Sequence, residues 1–161
     1  MCSLAEVLFE QTEITAQELE TGKSVKRFSH CHRPENGKLK IRRETGHIIW
    51  IGSTGTSEVI TSLYDIKEVR HGKGSKDFEK WPEEARREDR ARCFIVFYGK
   101  EFKLRTLSVA ALALDECTEW INGLNYLVSE AHAIPYTVRL ERFLRTEFYN
   151  IENHRNKFVL S

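Results

Sequence analysis

The sequence has no long apolar run, no closely spaced cysteine pair and almost no net charge. Its longest unbroken apolar run spans residues 109–114, far short of the roughly 18 residues of a membrane-spanning helix, so we expect no membrane span. No Lys or Arg precedes Lys23 to open a signal peptide. These absences favour a cytosolic protein with reduced thiols. The thiols show no C-x-x-C spacing and belong to Cys2, Cys31, Cys93 and Cys117.

Length and composition indicate one folded domain. The chain has 161 residues, of which 40% are hydrophobic and 30% are charged. These values are ordinary for a globular protein and differ from those of disordered chains. A chain of this size buries roughly 70% of the surface that its unfolded form exposes, so it needs no metal or disulfide to fold. A large multidomain enzyme is excluded.

The charge is unevenly distributed although its sum is only +1. Residues 1–22 carry five acidic and no basic side chains, whereas residues 23–43 carry eight basic side chains and Glu35 as the single acid. The near-neutral total indicates no nucleic-acid partner. The local basic field nevertheless attracts a polyanion through long-range electrostatics.

Alternation and turn residues predict a domain built mainly from β-strands. Ser3 and Glu6 form a capping box for a short helix that ends before Gly22. Strict alternation at residues 38–42 places the apolar side chains in a core and the cations on the opposite face. Further strands are predicted at residues 47–51, 63–69, 93–98 and 102–107, with a hairpin turn at 99–101 and a short helix at 76–81 inside a polar insert.

One segment near the C-terminus has strong helical periodicity. Its apolar residues follow the spacing i, i+3, i+4, i+7 from Cys117 to Ala131, and Trp120 lies on this stripe. We expect this helix to close the β domain with Trp120 in the core. The predicted fold class is mainly β with a C-terminal α-helix: an antiparallel barrel or sandwich followed by an extra helix. That extra helix follows Pro135 and has an apolar face of Leu140, Phe143, Leu144 and Phe148.

Five short strings occur in an order and spacing that is specific to one family. They are DIKEVR at residues 65–70, KDF at 76–78, CFIVFYG at 93–99, FKLRTLS at 102–108 and WINGL at 120–124. They resemble the N-terminal pleckstrin homology (PH) domain of phosphoinositide-specific phospholipase C, most closely the gamma class. The tail at residues 140–149 resembles the entering helix of the first EF-hand that follows this domain.

The resemblance implies a domain organisation and a parent enzyme. It implies a helical extension at residues 1–22, a seven-stranded PH domain at 23–132, and a linker with an incomplete first EF-hand at 133–161. The parent family cleaves phosphatidylinositol 4,5-bisphosphate in a calcium-dependent catalytic barrel that lies far downstream. We therefore expect no catalytic residue, metal or cofactor in this chain, with calcium needed only in the catalytic domain. An EF-hand loop aligned from Glu152 has Lys157 where glycine is required and favours no calcium binding.

Several other motifs have structural interpretations that we favour. The segment 30–32, His-Cys-His, has no second ligand pair at zinc spacing and fits an exposed loop. The segment 72–76 lacks the phosphate-loop spacing and fits a flexible turn. Cys93 and Cys117 are expected to pack in the core. Trp81 either anchors the polar insert or contacts a membrane or partner, and we favour the anchor.

The first predicted hairpin carries the candidate phosphoinositide site. A compact inositol polyphosphate needs several Lys and Arg side chains that converge from adjacent strands. In lipid-binding PH domains a base late in the first strand acts with a K/R-x-K/R pair on the second, a pattern that resembles Lys26 with Lys38 and Lys40. Arg33 in the intervening loop is placed to touch headgroups, and Arg42 continues the charged face. The alternative is a solvated strand face that blocks edge pairing.

The resemblance implies a non-catalytic module that recruits its parent enzyme from the cytoplasm to the inner face of the plasma membrane. The expected ligands are 3-phosphorylated phosphoinositides, above all phosphatidylinositol 3,4,5-trisphosphate, on an anionic membrane surface. On this hypothesis, replacing Lys38 and Lys40 by alanine abolishes liposome binding without unfolding the chain. The alternative is a protein-interaction module, because the same fold docks peptides, small GTPases or other domains of its own chain.

Overall fold

The computed structural model describes residues 3–159 of the chain, with side chains described as far as His154. In chain order its helices and strands are α1 Leu4–Thr21, β1 Lys23–Phe28, β2 Glu35–Arg42, β3 His47–Ile51, β4 Ser57–Ser62, β5 Ile66–His71, α2 Lys76–Lys80, α3 Pro82–Arg86, β6 Cys93–Tyr98, β7 Arg105–Ala111, α4 Leu114–Ala133 and α5 Tyr136–Val159. No helix in this range has the length and apolar character to cross a bilayer.

The seven strands form one antiparallel sheet in the order β4-β3-β2-β1-β7-β6-β5. Strand β1 lies at its centre and pairs with β2 on one side and with β7 on the other. The predicted PH-like architecture, with seven antiparallel strands followed by helices, is confirmed. Helices hold more residues than strands because α1 and α5 flank the β domain.

The main core lies between the inner face of the sheet and α4. Val25, Leu39 and Val96 of the strands pack in one cluster with Trp120 of α4, whose side chain is fully buried. The Trp120 ring stacks on Phe94 with 6.0 Å between ring centroids. Burial of such a side chain stabilises the fold by on the order of 2 to 3 kcal/mol. The prediction that Trp120 belongs to the core is confirmed.

A second, smaller core lies on the outer face of β1, β6 and β7. Helices α2 and α3 cover it, and Phe28 and Phe78 meet there with 4.7 Å between ring centroids. Trp81 packs against this cluster, and its Nε1 donates a hydrogen bond to the carbonyl oxygen of Ser29 at 2.7 Å. Trp81 therefore anchors the polar insert on the sheet, as the favoured interpretation predicted.

Helix α1 begins at the predicted capping box and packs on α4 and β2. Ser3 accepts a hydrogen bond from the Glu6 amide, and the Glu6 carboxylate accepts one from the Ser3 amide. Leu19 of α1 is fully buried against Gly123 of α4, where an added Cβ would lie 2.6 Å from the Leu19 Cδ1 atom. This close approach explains why a glycine stands on the buried face of α4.

An ionic cluster ties α1, β2 and α4 together through Arg43. Its guanidinium donates to Glu13 Oε1 at 2.5 Å and to Glu130 Oε2 at 2.8 Å, and the Tyr126 hydroxyl donates to Glu13 Oε2 at 2.7 Å. The hydrogen bond from Arg43 lowers the pKa of Glu13, and the bond to Glu13 raises the pKa of Tyr126 to about 12. Arg43 thus stabilises the packing of these elements, and its charge is already neutralised by two carboxylates.

Three segments differ from the sequence predictions. Strand β4 and helix α3 were not predicted, because their polar residues resemble loops and their position depends on tertiary pairing. Strand β7 begins at Arg105, so the loop after β6 is longer than the predicted turn. Helix α5 continues to Val159, and the stretch aligned with an EF-hand loop from Glu152 is helical. No glycine or proline lies between Tyr136 and Val159 to end that helix.

Candidate functional site

Lys26, which was predicted to hold a ring phosphate, faces the polar insert. Its Nζ lies 3.7 Å from Glu88 Oε1 and 5.9 Å from the centroid of the Phe28 ring. Glu88 also pairs with Arg92 at 3.3 Å. The Glu88 carboxylate therefore neutralises part of the charge that Lys26 would offer to a phosphate.

The other four predicted cations lie along or beside β2. Lys38, Lys40 and Arg42 are on its outer face, as the alternation predicted, because the residues between them are buried. The Arg42 guanidinium carbon lies 4.8 Å from the centroid of the Tyr149 ring in α5. Arg33 is exposed in the loop between β1 and β2. We call the five predicted cations the outer strip: Lys26, Arg33, Lys38, Lys40 and Arg42.

The outer strip follows a surface and does not surround one cavity. Lys38 borders one shallow depression, beside Gly37. Lys40 and Arg42 border another, which two carboxylates, those of Glu20 and Glu44, share. Lys40 and Arg42 thus border the same depression, and neither Lys26 nor Arg33 borders either of the two.

A larger concave site lies where β1, β6 and β7 meet the N-terminus of α2. Its volume is about 790 Å³. The basic side chains on its wall are Arg27 of β1, Lys76 of α2 and Arg105 of β7, with His30 and His32 of the loop between β1 and β2. We call this cavity the rim pocket. Its remaining polar wall includes Glu58, Ser75, Asp77, Tyr98 and Thr106.

The cations of the rim pocket differ in how they are held. Arg27 is partly buried, pairs with Glu58 at 3.2 Å and lies over the Trp50 ring at 5.6 Å. Lys76 and Arg105 are exposed, and within residues 3–154 neither has an ion-pair partner. Burial raises the pKa of Tyr98, while the nearby Arg27 and Arg105 act in the opposite direction. The guanidinium groups of Arg27 and Arg105 therefore partly offset the rise that burial causes in the pKa of Tyr98.

A buried carboxylate fixes the geometry of the rim pocket. Asp77 is 2% exposed and accepts hydrogen bonds from Thr106 at 2.6 Å, Ser108 at 2.7 Å, the His30 amide at 3.0 Å and His30 Nδ1 at 2.8 Å. Burial alone would raise the pKa of Asp77, but these hydrogen bonds outweigh it and lower the pKa. Asp77 thus joins α2, β7 and the loop after β1.

Comparison with known proteins identifies the relatives of this chain. No family model matches it. It is 34% identical over 158 residues, or 98% of its length, to the human 1-phosphatidylinositol 4,5-bisphosphate phosphodiesterase gamma-2. It is 32% identical over 126 residues to the protein of the same name from Rattus norvegicus. The chain is a homologue of gamma-class phospholipase C. It spans only 12% of the human relative and 10% of the rat relative.

Solved structures support the fold of this phospholipase C homologue. The PLC21 protein of S. officinalis aligns with 70% of the chain at a TM-score of 0.56 and 14% identity, over 16% of its own length. Inner membrane complex sub-compartment protein 1 of Toxoplasma gondii aligns with 80% of the chain at the same TM-score and identity, over 95% of its own length. At this identity the likeness shows a shared fold and nothing about ligands.

The sequence interpretation of the phospholipase C homologue did not assign Arg27, Lys76 or Arg105, which line the rim pocket, to a site. Arg27 was counted among the bases of the first hairpin but was not assigned to a site. A signal existed, because Arg27 alternates with the core residue Val25 and therefore shares the inner face of β1. Arg105 alternates with Leu107 in the same way. The meeting of these side chains with Lys76 depends on the long connection through α2, which no local pattern specifies.

The remaining motifs of the homologue have structural roles. Cys93 and Cys117 are buried in the two core clusters, which confirms that they are packing residues, and burial raises the pKa of each thiol to about 11. In the segment 72–76, Lys73 Nζ donates to the carbonyl oxygens of Ala85 at 2.9 Å and Glu88 at 2.7 Å, so it secures the polar insert. The part of the chain that the structure describes contains no group of three or more His, Cys, Asp or Glu residues placed to hold a metal.

Proposed function

We propose that this chain is the phosphoinositide-binding module that recruits a gamma-class phospholipase C to the inner face of the plasma membrane. The observation that carries the proposal is the rim pocket, where Arg27, Lys76 and Arg105 border a cavity of about 790 Å³ in a PH-like fold. Catalysis, for which the parent family needs calcium, is proposed to belong to other parts of the enzyme. The expected ligand remains phosphatidylinositol 3,4,5-trisphosphate.

The chemistry of the rim pocket fits a polyphosphorylated ring. Several phosphates close together need cations that approach from different directions, and Lys76, Arg105 and Arg27 come from α2, β7 and β1. Arg105 offers a fork to two phosphate oxygens, whereas Lys76 acts as a point charge. The Tyr98 hydroxyl and the His30 ring supply polar contacts from the same wall.

The outer strip has a second role in this proposal. Its cations line no common cavity in the described structure, and each base near an anionic leaflet adds up to about 1 kcal/mol of attraction. Lys38 and Lys40 therefore increase capture by any anionic membrane, while the rim pocket selects the headgroup. This division of roles revises the sequence hypothesis, which assigned headgroup binding to the strip itself.

A vesicle experiment tests the proposal. The chain is sedimented with phosphatidylcholine vesicles that carry each phosphoinositide in turn, at low and physiological salt. We expect Lys76→Gln with Arg105→Gln to weaken binding about 30-fold, because two bases contribute about 2 kcal/mol. The matched control, Lys67→Gln with Arg86→Gln, removes the same charge from exposed sites outside the pocket and is expected to lose only a few-fold. Equal loss in both variants would refute a headgroup site in the pocket.

One observation favours docking of another domain of the parent enzyme as a second candidate function. Helix α5 exposes an apolar stripe that the described structure leaves uncovered, formed by Leu140, Phe143, Leu144, Phe148 and Ile151. Salt distinguishes the two functions, because headgroup binding falls steeply with ionic strength whereas apolar docking does not. A folded chain that sediments with no vesicle but binds a separately purified domain of the parent enzyme, with an affinity unaffected by salt, would favour the docking function.

A further inference from the structure

The loop between β6 and β7, residues 99–104, presents two apolar side chains to solvent. Phe102 is fully exposed, and Leu104 is 63% exposed. We call this segment the tip loop. Backbone hydrogen bonds define its shape, since the Gly99 amide donates to the Asp65 carbonyl at 3.1 Å and the Lys103 amide to the Lys100 carbonyl at 3.0 Å. The apolar pair is therefore displayed by an ordered turn.

The backbone of the tip loop is unusual at two positions. Gly99 has φ 140°, and a Cβ there would lie 2.0 Å from the Lys103 carbonyl oxygen, so only glycine fits. Phe102 has φ 66°, a left-handed conformation that aromatic residues rarely adopt. A fully exposed phenylalanine in a strained conformation adds nothing to the core. Such a combination indicates a role at the surface.

Cations alternate with the apolar pair of the tip loop. Lys100 and Lys103 belong to the loop and Arg105 follows it, with Glu101 as the one acid in this segment. This composition matches the boundary between lipid headgroups and acyl chains, where apolar side chains are buried while bases contact phosphates. The alternation therefore favours a phospholipid surface as the partner of the tip loop.

The tip loop lies beside the rim pocket. Leu104 and Arg105 line one wall of the pocket, and the segment 30–32 of the loop between β1 and β2 also lines it. That segment carries His, Cys and His, so Leu104 of the tip loop is the large apolar side chain among the loop residues that line the pocket. A headgroup bound in the pocket would bring the surface of its bilayer to Leu104 and, two residues away, to Phe102.

We propose that Phe102 and Leu104 insert into the boundary between headgroups and acyl chains of an anionic membrane. The inference rests on the proposed function, because the rim pocket holds the headgroup of the same membrane. Insertion increases the residence time of the chain on the membrane but does not contribute to its affinity for the free headgroup. Affinity for vesicles and affinity for the soluble headgroup should therefore respond differently to changes in the tip loop.

The test compares two double variants of the chain. The tip variant is Phe102→Ser with Leu104→Ser. The control is Leu144→Ser with Phe148→Ser, which removes the same residue types from α5, where they are 58% and 61% exposed. Each protein is titrated with phosphatidylcholine vesicles containing phosphatidylinositol 3,4,5-trisphosphate, and separately with the soluble headgroup of that lipid. Circular dichroism verifies that both variants fold.

We expect the tip variant to bind vesicles about tenfold more weakly, because it loses burial of two apolar side chains, while its affinity for the soluble headgroup is unchanged. The control should match the unmodified chain in both assays. Vesicle binding by the tip variant equal to that of the unmodified chain overturns the proposal and leaves a protein as the partner of the tip loop. A chain that binds vesicles but not the soluble headgroup contradicts the proposed function instead, and the vesicle assay still decides insertion.

The depth to which the tip loop inserts into the bilayer is measured with the variant Phe102→Trp. The unmodified chain has three tryptophans, Trp50 and Trp120 in its main core and the partly buried Trp81, so the difference in quenching between the variant and the unmodified chain reports on the added indole of the tip loop. Vesicles whose acyl chains are brominated near the glycerol should quench the variant more strongly than the unmodified chain. Equal quenching of the two proteins would show that the tip loop stays outside the bilayer and would overturn the insertion.

Discussion

The outer strip and the rim pocket are both basic, yet they differ in how their cations are held. In the strip, Lys26 is paired with Glu88, and Arg42 lies over an aromatic ring of α5. In the pocket, Lys76 and Arg105 project into an open cavity, and no acidic partner for them is found within residues 3–154. Over the same residues the strip cations line no common cavity, whereas Arg27, Lys76 and Arg105 line one. A polyphosphate needs cations that converge, so we assign the headgroup to the pocket.

This difference shows why a count of bases does not locate a site. Residues 23–43 contain the densest basic segment of the chain, but Arg43 in it binds two carboxylates and stabilises the packing of α1. Two of the cations that line the pocket, Lys76 and Arg105, lie outside that segment. A cation that the fold has already paired with two carboxylates, as it has Arg43, has little charge left to offer a ligand.

The largest expected change is a loss of stability when Arg43, the cation that binds two carboxylates, is replaced. Arg43→Met leaves Glu13 and Glu130 facing each other without their shared partner, and we expect a loss of about 3 kcal/mol in the free energy of unfolding. Urea denaturation measures it. Arg33→Met is the control, since Arg33 is exposed and its loss should change stability by less than about 0.5 kcal/mol. Equal stabilities of the two variants would contradict the structural role of Arg43.

A second, smaller effect tests what holds the rim pocket in shape. Asp77→Asn replaces one carboxylate oxygen, the acceptor of two of the four hydrogen bonds of Asp77, by an NH2 group that cannot accept, and we expect a loss of about 2 kcal/mol at pH 7 together with weaker headgroup binding. The exposed Glu79→Gln of the same helix is the control. Urea denaturation gives the stability, and titration with the soluble headgroup gives the affinity.

The Asp77 effect should depend on pH in one direction. The pKa of Asp77 in the folded chain is lowered, below the unfolded value of about 3.9. Stabilisation by its ionised form is therefore fully present above about pH 4 and is lost as the pH falls through the folded pKa. The stability difference between the unmodified chain and Asp77→Asn should shrink below about pH 4. A difference that stays constant between pH 7 and pH 3 would argue against an ionised Asp77.

The smallest effect is expected for the outer strip. Lys38→Ala with Lys40→Ala should weaken binding to anionic vesicles about threefold, because bases that do not contact a bound headgroup each add well under the upper value of about 1 kcal/mol, and should leave affinity for the soluble headgroup unchanged. Lys67→Ala with Lys80→Ala is the matched control at exposed sites away from the strip. A loss of 30-fold or more in the strip variant alone would return the headgroup site to β2.

Local patterns predicted much of the fold. The alternation in β2, the helical stripe of α4 with Trp120 and the capping box before α1 each depend on neighbouring residues, and the structure confirms all three. The PH-like sheet followed from the resemblance to phospholipase C. Strand β4 was not found, because its polar sequence becomes a strand only by pairing with β3.

The site was harder to predict than the fold. Lys26, Lys38 and Lys40 were chosen from their spacing in sequence, but spacing does not show that Glu88 approaches Lys26. Nor does it show that Arg105 and Lys76 meet at one cavity, since they are separated by α3 and β6. Both facts arise from contacts between segments distant in sequence.

The most direct test of the central claim maps the bound headgroup on the chain. The soluble headgroup of phosphatidylinositol 3,4,5-trisphosphate is titrated into isotope-labelled protein, and backbone amide shifts are followed by nuclear magnetic resonance. The account predicts that the largest shifts fall at residues 27–32, 75–77 and 104–106, which line the rim pocket. Shifts concentrated at residues 36–42 of β2, which include Lys38, Lys40 and Arg42 of the outer strip, with no shifts at the rim pocket, would contradict it.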